Sequence, residues 1–127
     1  MPTPETELLD LSQKLLDAIT AGDWTTYAAL CDEHLTCFEP EAQGHLVTGL
    51  PFHKFYFDLP GGGGGPRQST IAAPSVRVMG DVGIVCYVRL VQKLVDGAPV
   101  TAAVNETRIW QRTPQGWKHI HFHRSVV

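Results

Sequence analysis

The chain has 127 residues, of which 43% are hydrophobic and 18% charged, with a formal net charge of -3 and three cysteines. That length makes one domain, residues 1–127, able to bury a core of its own, in the composition range of soluble globular proteins. A mildly acidic balance with no Lys/Arg cluster excludes an electrostatic nucleic-acid or membrane-surface binder, and an odd number of unpaired cysteines excludes a disulfide framework and points to a reducing, cytoplasmic compartment.

The opening "MPTPETELLD" lacks the basic and apolar regions of a secretory signal, and no apolar run approaches the ~20 residues of a membrane span. Leu8, Leu11, Leu15 and Ile19 recur at helical spacing, joined by Leu9 and Leu16. Pro4 suits a first helical turn, Glu5 and Glu7 suit its positive end, and Gly22 stops the run. Asp23 then caps a second, short helix carrying Trp24, Tyr27 and Leu30. "LTCFEPEAQGHLVTGL" predicts a short strand or hairpin, and "LPFHKFYFDL" a helix on which Phe52, Phe55 and Tyr56 share a face. "PGGGGGP", residues 60–66, is a flexible loop; no Gly-Lys-Ser/Thr follows, so it is no phosphate cradle.

From Ser69 onward the pattern is strand: "STIAAPSVRVM", "VGIVCYVRLVQKL", "VTAAVNETRIWQR" and "GWKHIHFHRSVV", separated by the turn chemistry of "GD", "VDGAP" and "TPQG". Cys86, in the apolar second segment, reads as a buried structural thiol. Helices followed by consecutive strands predict an α+β fold, a curved antiparallel sheet with helices on its concave face.

Alternation of side chains along strands gives the sharper expectation. One face of the second strand holds Tyr87, Arg89 and Val91; one face of the third holds Val104, Glu106, Arg108 and Trp110; in the fourth, Arg124 follows Ile120 and Phe122. Hairpin connections make these strands neighbours, so three arginines converge on one side of the sheet around a single interleaved carboxylate, Glu106. Burying an unpaired ion costs several kcal/mol. Either the site stays wet, or Glu39 and Glu41 of "FEPEA" fold over it, or a small anion binds there, since the guanidinium fork suits carboxylate or phosphate. Rim arginines laying apolar stems along the sheet are the competing reading.

"DAITAGDW", "FEPEAQGHLVTGLPFHKFYFD", "YVRL", "NETRIWQR" and "GWKHIHFHRS" closely resemble the association (hub) domain of calcium/calmodulin-dependent protein kinase II, from about Leu8 to Ser125. The resemblance implies the cone-shaped fold of nuclear transport factor 2-like proteins, also called cystatin-like. It implies dimers assembling into closed double rings, a dodecamer or larger, and a cavity lined by Arg89, Arg108 and Arg124 with His53 beside them, able to take a small carboxylate. Tyr87 and Glu106 are placed in the same pocket. No kinase segment, ATP-binding glycine loop or calmodulin-binding helix stands in the chain, so no kinase activity carries over, and the start at Met1 favours a free-standing homologue over an excised domain. The glycine loop replaces a longer polar connection at the cavity mouth.

Val88 and Leu90 lie opposite Arg89, and Ile109 opposite Arg108, so these strands are apolar on both faces and call for cover on both. The outer face is expected to meet another copy, with His119, His121 and His123 pointing there too. Three histidines at alternate strand positions span too far for one zinc, and no spaced Cys or Asp partner presents itself, so neither metal nor cofactor is expected. The rival function is a small enzyme of the ketosteroid-isomerase or polyketide-cyclase type, with Glu106 or His53 as base and Tyr87 as donor. The arginines argue against it, because they hold a carboxylate ionised and weakly basic.

Overall fold

Thr3 opens the first helix, α1 (Pro4–Ala21), its hydroxyl accepting from the Thr6 N–H, and Gly22 closes it in the left-handed conformation at φ 69°. Asp23 caps α2 (Trp24–Leu30) through the Thr26 N–H. There follow β1 (Cys31–Phe38), a 3-10 turn at Pro40–Ala42, β2 (Val47–Thr48), α3 (Pro51–Asp58), β3 (Arg67–Met79), β4 (Val82–Val95), β5 (Ala98–Thr113) and β6 (Gly116–Val126). This computed structural model describes residues 2–59 and 66–127. The expected loop at 60–66 lies outside the described residues apart from Pro66.

The strands form one six-stranded sheet in the order β2-β1-β6-β5-β4-β3. All pairings are antiparallel except β1 with β6, which is parallel: β1 belongs to the N-terminal half and is inserted beside the last strand by a long crossover. The expected α+β sheet is therefore present, with one parallel seam that local hairpin signals do not encode. Asp96 and Gly97, at φ 51° and 80°, make the two-residue turn between β4 and β5. Pro74, which lacks a ladder donor, sits where β3 slips register between Ala72 and Ser75.

The core lies between the sheet and α1–α2. Leu8, Leu15 and Leu16 are fully buried, together with Tyr27, Leu35, Val85 and Trp110, while Leu11 and Ile19 stand at the edge. The Trp117 indole N–H donates to Glu7 at 2.9 Å, tying β6 to the first turn of α1. One expectation is corrected: Cys86 is exposed, because it lies on the sheet face that no helix among the described residues covers. Phe52 and Phe55 each make contact with Tyr56, as a shared helix face predicts; Phe55 and Tyr56 are exposed, and the buried residue of α3 is His53. Among the described residues, no helix is long and apolar enough to cross a membrane.

Leu8 of α1 packs directly over Gly83 of β4, where an added Cβ would stand 2.2 Å from Cδ1 of Leu8. Gly83→Ala is expected to destabilise the fold by about 1–3 kcal/mol through overpacking. Denaturant unfolding measures this, and adding Leu8→Ala should bring the double variant in below the sum of the single losses.

Candidate functional site

On the inner face, register places Tyr87 of β4, Glu106 of β5 and Arg124 of β6 side by side, with Arg89 and Arg108 two residues along their strands. Glu106 is almost wholly buried and accepts from three donors: the Tyr87 hydroxyl at 2.6 Å, Arg108 Nη2 at 3.2 Å and Arg89 Nη1 at 3.3 Å. Arg108 Nε donates in turn to the Tyr87 oxygen at 2.7 Å, and Arg89 Nε to Ser69 at 3.1 Å. Burial pushes the Glu106 carboxyl up, but Arg108, Arg89 and the Tyr87 hydroxyl outweigh it and hold the group below the usual carboxylate range. Burial raises Tyr87, which stays a neutral phenol.

His119 is where alternation misleads. It pairs with Trp110, whereas His121 pairs with Ile109, so Ile120 is an extra residue and β6 bulges there. The bulge changes the parity of the strand: Trp117 and His119 face inward before it, Phe122 and Arg124 after it. His119 is thus fully buried in the core, and its expected place on the outer contact face is overturned. Arg108 Nη1 donates to its Nε2 at 3.3 Å, which leaves the proton on Nδ1, facing Cys31 Sγ at 3.6 Å. Phe122 stacks on His119 and also lies under the Arg108 guanidinium, 4.7 Å from its centroid. Burial, and after it the Arg108 charge, depresses His119 well below the ordinary histidine value.

Arg124 has other partners. Both oxygens of Glu41 accept from its Nη2, and Glu39 Oε2 lies 3.5 Å from the same nitrogen. The segment "FEPEA" thus folds over the arginines, and the inner face holds three guanidinium groups against three carboxylates, with no cationic surplus. What remains open is a cavity of about 230 Å³. Arg89, Arg108, Arg124 and His53 line it, and Glu39 and Glu41 join them. Its apolar wall is Ile19, Tyr27, Tyr56, Phe57 and Phe122, which spacing did not bring together because they come from four separate elements. Tyr87 and Glu106 are not part of the lining; they sit beneath the arginines and fix them.

The outer face carries Val88, Leu90 and Ile109 half-buried, with His121 and His123 beside the exposed Phe38. His121 shares a 2.7 Å hydrogen bond with Thr36.

The neutral His119 makes stability depend on pH. The unfolded chain takes up a proton on this residue below about pH 6.5, which the fold refuses, so its contribution is complete above that pH and declines below it by about 1.4 kcal/mol per pH unit. Burial, then His123, lowers His121 as well, and it adds to the same decline. Unfolding free energies of His119→Gln measured across this window should fall less steeply than those of the parent chain, whatever the offset between them.

The comparisons with known proteins extend over this whole arrangement. The calcium/calmodulin dependent protein kinase II association domain matches residues 4–127. The kinase II alpha chain of Drosophila melanogaster is 41% identical over 123 residues, 94% of this chain; the chain spans only 23% of that relative's length. The kinase II hub homology domain of Chlamydomonas reinhardtii is 49% identical, covers 98% of this chain and 99% of its own, and superposes with a TM-score of 0.93. A nuclear transport factor 2-like protein with a cystatin-like fold from Novosphingobium aromaticivorans, 16% identical with a TM-score of 0.79 over 95% of this chain and 80% of its own, shares the fold alone. With residues 4–127 matched, an association domain occupies the chain and leaves no room within it for a kinase catalytic domain, so the protein belongs to the calcium/calmodulin-dependent protein kinase II association-domain family.

Proposed function

We propose that this chain is a self-assembling hub: copies meet through the outer sheet face and close into a ring of even subunit number, twelve or more, while each cavity takes a small carboxylate or similar anion. The observation that carries assembly is the outer face itself. The helices cover one side of the sheet, and on the other no second layer among the described residues covers Val88, Leu90, Ile109 and Phe38. A sheet apolar on both faces is stable when both are covered. The names of the relatives, association domain and hub, agree with this.

The anion reading is supported by Arg124. Its site is already filled by carboxylate from the chain's own Glu41, which shows the chemistry the fork accepts, and Glu41 is the more exposed of its two acidic partners. An incoming carboxylate replaces Glu41 and leaves the charge balance of the cavity unchanged. Catalysis as in the isomerase reading fits poorly: Glu106 is sealed beneath the arginines and held ionised, so it is neither accessible nor basic.

Native mass spectrometry at neutral pH tests the assembly. A closed ring of even number is expected, breaking down in Ile109→Asp; a plain dimer from the parent chain would sink the ring. For the cavity, titration with a short-chain monocarboxylate followed by NMR should show binding weakened roughly tenfold or more in Arg124→Gln, as removal of a charge-assisted hydrogen bond requires. Glu41→Gln should bind more tightly than the parent, because the competing internal acid is gone. Equal affinity in all three chains would remove the anion reading.

A further inference from the structure

Beside the arginines, three potential metal ligands meet at one point. Cys37 is buried near the end of β1. The chain continues extended through Glu39, at φ -152° and ψ 156°, whose side chain turns inward, and α3 brings His53 across from the other side. Cys37 Sγ lies 3.4 Å from His53 Nε2, Glu39 Oε1 lies 3.4 Å from the same nitrogen, and the three atoms are all within 4.8 Å of one another. From these atoms we infer a zinc site made of Cys37, Glu39 and His53.

Geometry supports it first. Zinc bonded tetrahedrally at about 2.3 Å to sulfur and about 2.0–2.2 Å to nitrogen and oxygen sets sulfur and nitrogen roughly 3.6 Å apart and nitrogen and oxygen roughly 3.4 Å apart. The two nitrogen separations in this chain agree with these to within about 0.2 Å.

Hydrogen bonding decides which ring nitrogen would bind. His53 is buried, and its Nδ1 has no hydrogen-bond partner among the described residues, so the ring's close polar contacts fall on Nε2. With the proton on Nε2, the ring donates toward Glu39 and Nδ1 keeps a bare lone pair in the interior. With the proton on Nδ1, the Nε2 lone pair faces a carboxylate. A cation that accepts the lone pairs of Nε2, Sγ and Oε1 removes the second conflict, leaving the Nδ1 proton without an acceptor among the described residues, and the thiol proton leaves to solvent as it binds.

One dication, one thiolate, one carboxylate and one neutral imidazole sum to zero. Arg89, Arg108 and Arg124 oppose a cation in the cavity, and with Glu39 on the metal they face two carboxylates, Glu106 for the first two and Glu41 for the third, so an anionic fourth ligand from solvent closes the balance. Arg124 lies against the other oxygen of Glu39, which orients that carboxylate as an outer-shell partner does. Thiolate with imidazole selects zinc over magnesium or calcium. Glu39 and His53 both line the cavity, so the fourth coordination position opens into it and remains exchangeable.

Titration of the metal-stripped full-length chain with cobalt(II) alone tests the site. One equivalent is expected to bind with a thiolate-to-cobalt charge-transfer band and tetrahedral ligand-field bands, and zinc should displace it. Cys37→Ser should abolish the charge-transfer band, and both it and His53→Asn should weaken binding by at least the roughly tenfold lost on removing even an outer-shell partner. Cys86→Ser, on the outer face, should change neither. Circular dichroism of the variants separates ligand loss from unfolding. Absence of the charge-transfer band in the parent chain overturns the proposal, and so does a band that survives Cys37→Ser and is lost in Cys86→Ser. Neither result touches the ring mass or the carboxylate affinity.

Discussion

Everything on the inner face is arranged around one carboxylate that has left water. Glu106 is among the most buried polar residues of the chain, and two arginines and a tyrosine converge on it. A carboxylate in that place is tolerable only while its partners stay, and the same holds for Arg108, itself sealed from solvent. The network therefore constrains the sheet as much as it is held by it. Tyr87 must stay opposite Glu106 for its hydroxyl to reach both Glu106 and Arg108, so a slip of β4 against β5 would strand three polar groups at once. Such a network secures register more than it adds stability. An apolar core of the same volume would hold the sheet as well without specifying which residues face which.

Much of this was legible in the residues. Period two along β4 and β5 put Arg89, Glu106 and Arg108 on one face, and the hairpins between consecutive strands brought them together. The helices announced themselves through Pro4, Gly22 and Asp23, whose roles depend on local geometry alone. Period two failed at Ile120, because a bulge has no composition signal in a strand of aromatic and β-branched residues; its cause lies in how β6 fits both its neighbours. It pairs antiparallel with β5 and parallel with β1, and its register against β1 shifts as well, between Cys31 and Thr36. Ile120 is the residue at which the register of β6 shifts against β5, and the shift against β1 falls over the same stretch. That residue turns His119 inward and leaves His121 and His123 outside, so three histidines that look equivalent in "HIHFH" have two different environments.

The cavity was less legible than the arginines. Its apolar wall comes from α1, α2, α3 and β6, and its acids from a turn, so no single period relates Tyr27, Glu39, His53 and Phe122. Cys37 was passed over for the same reason. One residue separates it from Glu39 in sequence, yet strand alternation and the inward turn of Glu39 set both side chains toward His53, fourteen residues beyond.

The placement of Glu39 joins the two halves of the cavity. One of its oxygens faces His53 and the other Arg124, so the carboxylate stands between a neutral ring and a cation. Arg124 is in turn shared with Glu41, and Glu106 of the buried network lies opposite it across the sheet. A change at the cavity rim that draws Glu41 away leaves Arg124 with Glu39 as its nearest acid, and a change that draws Glu39 toward His53 leaves it with Glu41. The two acids are thus alternatives for one guanidinium, while Arg89 and Arg108 are committed to Glu106 and cannot substitute. The cavity can exchange its charge only at Arg124, at the rim where solvent enters, and the strand carrying it is the one whose opposite face presents His121 and His123 to the outer surface.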